Sequence, residues 1–97
     1  WNGVTCLQLA KITDTIIKKN LFWKGVRIFH SNSVSKLELA EMINEIYELD
    51  IDIKPIDTPL PCDRSLATLH DISIYSIPSL REQIKSSRDF HRSFDEY

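Results

Sequence analysis

Apolar residues recur at helical spacing near the start of the chain: Leu9, Ile12, Ile16 and Ile17, with Thr13 among them. Thr5 and Gln8 stand three apart, the spacing of a capping box, and Val4 and Leu9 occupy the flanking staple positions. Lys18 and Lys19 oppose the negative end of the helix dipole, and Asn20 suits a left-handed stop. The pattern predicts a helix over about residues 6–19. Leu21, Phe22 and Trp23 form an apolar link, Lys24-Gly25 turns the chain, and residues 26–30 (Val26, Ile28, Phe29) read as a strand.

The same grammar follows. Ser35 with Glu38 makes a second capping box and Val34 with Leu39 a second staple. Leu39, Met42, Ile43, Ile46 and Tyr47 share one face, while Lys36, Glu41, Asn44, Glu45 and Glu48 lie mostly away from it, as a solvated face does. This helix ends near Leu49, and Ile51, Ile53 and Ile56 alternate as a second strand. Pro59 and Pro61 stiffen the loop at 58–65, residues 71–77 are a transition, and Pro78 suits the first turn of a third helix over 79–87. After about residue 89 the polar, aromatic-dotted end is expected to fray. The predicted fold is α/β: a small strand–helix–strand lobe with about three helices and a short, mainly parallel sheet. Residues 1–88 form the lobe and 89–97 a flexible tail.

Composition narrows the function classes. Ninety-seven residues, 42% hydrophobic and 27% charged, suit one small globular domain or a piece of one. The net charge of −2 argues against an electrostatic nucleic-acid binder. No apolar run reaches membrane-spanning length, and no basic-then-apolar leader is seen. Cys6 and Cys62 form no CxxC, and with three scattered histidines they build no four-ligand zinc site; they read as reduced thiols of a cytoplasmic protein. The chain opens at Trp1, a few residues before a helix cap, which reads as the tail end of a longer polypeptide, with a mature N-terminus after processing as the alternative.

The candidate chemistry is binding rather than catalysis. Gly3 and Gly25 are the only glycines, so no phosphate-cradling loop exists. His30, His70 and His91 accompany no nucleophile motif, and His30 is either a structural group or a ligand contact at the end of its predicted strand. Asp50, Asp52 and Asp57 mark strand edges and turns. Arg64, in the proline-stiffened loop, can present a bidentate fork to a phosphate or simply pair with a carboxylate such as Asp63. Asn2 and Thr5 can offer neutral hydrogen bonds beside the first helix N-terminus, where Thr5 also serves as the cap. Candidate substrate-binding residues are therefore Arg64, Asn2 and Thr5, with no catalytic, cofactor-binding or metal residue assigned.

The runs WNGVTCLQLAKITDTII, GVRIFHSNSVSKLELAEMINEIY and IDIKPIDTPLPCDRSLAT carry a resemblance. In this order they resemble the C-terminal region of extended short-chain dehydrogenase/reductases that act on nucleotide sugars. The likeness is to the dTDP-4-dehydrorhamnose reductase-like branch and its epimerase relatives, over about residues 1–85. It implies the nucleotide-sugar-binding lobe of a Rossmann-type enzyme. Its NAD(P) site and Tyr-x-x-x-Lys pair would lie in a missing N-terminal cofactor-binding domain, and this portion alone would be inactive. In relatives an arginine in the loop after the second strand of this region touches the diphosphate, and Arg64 stands at the matching place. The polar loop Ser31, Asn32 and Ser33 gains no role from the resemblance. The alternative is a stand-alone α/β module that binds a protein through Leu21-Phe22-Trp23.

Overall fold

The computed structural model describes residues 1–56, 63 and 65–94. Three helices follow in order: α1 (Cys6–Lys18), α2 (Lys36–Ile46) and α3 (Leu80–Phe94), with a 3-10 turn at Ser73–Tyr75 before the last. Helix α3 packs against both of the others. The molecule is a slab of 45 × 44 × 17 Å, hardly thicker than one layer of helices with their side chains.

The helix ends follow from local chemistry. Thr5 Oγ1 accepts from the Gln8 N–H, as predicted. Its own N–H, however, goes to Gln83 Oε1 on α3, so a tertiary partner takes the role expected of Gln8. The Ser35–Glu38 capping box forms in both directions. Asn20 adopts a positive φ of 54°, and the Leu21 N–H reaches back to Ile16 O at 3.0 Å, closing a Schellman turn. Helix α2 ends the same way with Glu48 at φ 55° and the Leu49 N–H on Asn44 O. Helix α3 runs to Phe94, well past the expected end at Ser87.

The core is small. Val34, Ile46, Leu80 and Ile84 are buried together, with Leu39, Met42 and Tyr47 packed against them. That reproduces the predicted face of α2, except that Ile43 is exposed. On α1 the buried positions are Gln8 and Ile12, while Leu9 and Ile17 stand in the open. The inward stripe is thus rotated from the one the apolar spacing alone suggests.

The α/β expectation is overturned: among the described residues there is no strand and no sheet. The physical reason is that each expected strand finds other bonding or none. The Ser31 N–H goes to Asn2 O, and Val34 exchanges backbone bonds with Trp1 in both directions, so the chain beyond 26–30 pairs with the N-terminal segment. Ile51 gives both its backbone groups to the side-chain amide of Asn44, which pins the start of the second expected strand to α2. Pro55 further removes a ladder donor there. Two short strands without a third have little stability of their own. Val26 and Ile56 remain almost fully exposed, at 89% and 84%.

Candidate functional site

Three separate stretches meet where α3 begins: the N-terminal segment, the loop at 30–34 and the approach through residues 72–79. Gln83, 1% exposed, ties them. Its Oε1 accepts from the Thr5 N–H at 3.0 Å, and its Nε2 donates to Ser31 Oγ at 2.6 Å and to Pro78 O at 2.9 Å. Asn32 Oδ1 accepts from the Leu80 N–H at 2.9 Å, so the loop caps α3 from outside. The Ser79 hydroxyl accepts from the Glu82 N–H on the same turn.

In front of this knot lies an open cleft of about 460 Å³, lined by His30, Ser31, Asn32, Ile72, Ser73, Ile77, Pro78 and Ser79. Its walls are mainly apolar, with polar groups from three stretches converging on it, which is the composition of a small-molecule site. No Lys, Arg, Asp or Glu is in that lining. His30 Nδ1 donates to the Ser31 carbonyl at 3.1 Å, since a carbonyl only accepts. The Asn32 amide, its oxygen already used on Leu80, keeps two N–H donors. A neutral, hydroxyl-bearing ligand fits that inventory better than an anion does.

Of the predicted residues, Asn2 and Thr5 are placed, and neither lines the cleft. Asn2 is 4% exposed, and its side chain is fully engaged with one residue: Nδ2 donates to Leu66 O at 2.8 Å and Oδ1 accepts from the Leu66 N–H at 2.6 Å. Gly3 makes room for the Trp1 indole to fold back, since a Cβ there would meet the ring at 2.5 Å. Thr5 joins Asn2 in the same network through Gln83 and Ser31. Arg64 lies outside the described residues, as does Cys62, but its neighbours are placed. Asp63 Oδ1 accepts from the Ser65 hydroxyl and N–H, and those bonds hold its carboxyl below the usual aspartate range. Asp71 does the same with Ser73 at the edge of the cleft, again lowering its pKa.

Among the described residues no three His, Cys, Asp or Glu side chains gather to hold a metal ion, and no nucleophile–base pair appears in the cleft. Cys6 is exposed and free. Among the described residues no helix is long and apolar enough to cross a membrane.

Sequence reasoning passed over Gln83, the centre of the network. A signal was present: Leu80, Gln83 and Ile84 follow the inward spacing of an amphipathic helix, so a polar residue falls on an apolar stripe and needs partners. The loop Ser31–Ser33 was visible as polar, but only the fold shows what it caps. Comparison with protein-family models, curated proteins and solved structures finds no match for this chain.

Proposed function

We propose that this chain is the substrate-binding portion of an NAD(P)-dependent nucleotide-sugar reductase or epimerase of the dTDP-4-dehydrorhamnose reductase-like kind. The cofactor and the catalytic pair come from a separate cofactor-binding domain, and the protein works in the cytoplasm. The observation that carries the reading is the Asn2–Leu66 clamp. It joins the first stretch of the resemblance to the loop of the third, two residues from Arg64. In this reading Asn2 and Thr5 position the loop, Arg64 takes the diphosphate, and the neutral cleft at His30 and Asn32 suits a sugar ring.

The test is a titration of the full-length gene product with UDP- and dTDP-sugars, followed by amide chemical shifts. Movement at residues 63–66 is expected, together with at least tenfold weaker binding in Arg64→Ala, about the value of one charge-assisted fork. Unchanged spectra at saturating nucleotide sugar would end the reading. A second reading, a protein-interaction module acting through residues 21–23, is favoured by Phe22, which is 67% exposed. It predicts that a protein partner protects Trp23 from quenching, in a Trp1→Phe background, while nucleotides have no effect.

A further inference from the structure

The charges of this chain are segregated. Residues 1–30 carry five basic side chains and one acidic one, whereas residues 38–52 carry six acidic side chains and no basic one. Within this basic stretch of sequence, Ile16, Phe22 and Trp23 line a groove of about 270 Å³. Arg27 lies over the Trp23 ring, 4.6 Å from its centroid, and Phe29 packs beside the same ring. Lys18 is paired with Asp14, but Lys19 and Lys24 are exposed with no ion-pair partner among the described residues.

The acidic region is also built as a surface. Glu38, Glu41 and Glu45 follow a three–four spacing that keeps them on one side of α2, and Glu48 lies just beyond its end. All four are exposed, and among the described residues Glu45 alone of these has a salt-bridge partner, Arg81. Leu49 and Ile51, just beyond the helix, are exposed as well. Helices α1 and α2 share α3 as their packing partner. The basic groove follows α1 and the acidic stripe lies on α2, so the two patches belong to different helices joined through α3.

We propose that the Ile16–Phe22–Trp23 groove, with the exposed Lys19 and Lys24 close to it in sequence, receives the acidic α2 surface of a second copy of this chain, head to tail. The complementary surface is present on the same molecule, and the chain as a whole has surface to spare. The chain exposes 7701 Å², against about 5,700 Å² for a compact monomer of its mass. The difference exceeds the roughly 800 Å² per partner that a standard interface buries. A heterologous contact of this kind does not close on itself as a twofold dimer does, so it builds a series of oligomers. This inference uses the interaction surface of the second reading and is independent of nucleotide-sugar binding.

Sedimentation velocity on the full chain over a range of concentrations tests it. At low salt a concentration-dependent series of oligomers is expected, shifting toward monomer at high salt. Lys24→Glu and Glu41→Lys, both at exposed positions, should each weaken association at least tenfold with unchanged circular dichroism. Mixed in equal amounts, they should associate again, because each variant keeps the working surface that the other lacks. A monomer at every concentration at low salt overturns the proposal. So does association that survives both reversals, or a mixture that fails to pair.

Discussion

At the scale of single residues, the buried amides do the organising. Gln83 serves three partners from within an otherwise apolar stripe. Gln83→Ala strands the Thr5 N–H and the Pro78 carbonyl and opens a void, so it should cost about 2–4 kcal/mol in urea unfolding. Gln83→Glu keeps the volume but exchanges a donor for a carboxylate facing Pro78 O, and should be no milder. Asp71 gives a pH-dependent test. The Ser73 hydroxyl, followed by its N–H, lowers the folded pKa below the unfolded one. The contribution is therefore complete above the ordinary aspartate value and lost as pH falls through the lower folded value. NMR titration should place the Asp71 carboxyl below ordinary aspartates, and Ser73→Ala should move it back up. An unmoved value in that variant would assign the effect to the backbone N–H alone. Two of the three partners of Gln83, Thr5 and Ser31, lie far from it in sequence, which is why the site was less legible than the helices.

At the scale of elements, local chemistry was readable because it is contained in a few adjacent residues. The Ser35–Glu38 box and the Asn20 stop needed nothing from elsewhere in the chain. Ser35→Ala should cost about 1 kcal/mol, the usual value of an N-cap. Glu48 holds the left-handed position that closes α2, where a side chain is disfavoured. Glu48→Gly should therefore leave the fold intact and stabilise it by up to about 1 kcal/mol, read from the denaturation midpoint. The expected strands failed for the opposite reason. A β-branched run specifies a strand only when another backbone is there to pair with it. Here Trp1 and Asn2 take the backbone of Ser31 and Val34, and the Asn44 amide takes that of Ile51. Val26, Ile28 and Ile53 keep the strand pattern without the ladder.

At the scale of the whole molecule, the decisive quantity is surface. A chain of 11.3 kDa unfolds to about 16,400 Å² and compacts to about 5,700 Å² in a typical monomer. With 7701 Å² still exposed, folding here removes about a fifth less surface than usual. The dependence of unfolding free energy on urea follows the area exposed. The m-value of the chain should therefore fall about a fifth below that of compact proteins of equal length, at protein concentrations low enough to keep it monomeric. Raising the concentration should move it toward the usual value if a second copy covers the open faces, because dissociation then adds its own exposed area to unfolding. An ordinary m-value in dilute solution would mean that the solution state is more compact than the slab. In that case Val26, Ile28 and Ile56 are covered within a single copy, and both the docking groove and the need for any covering partner lose their physical basis.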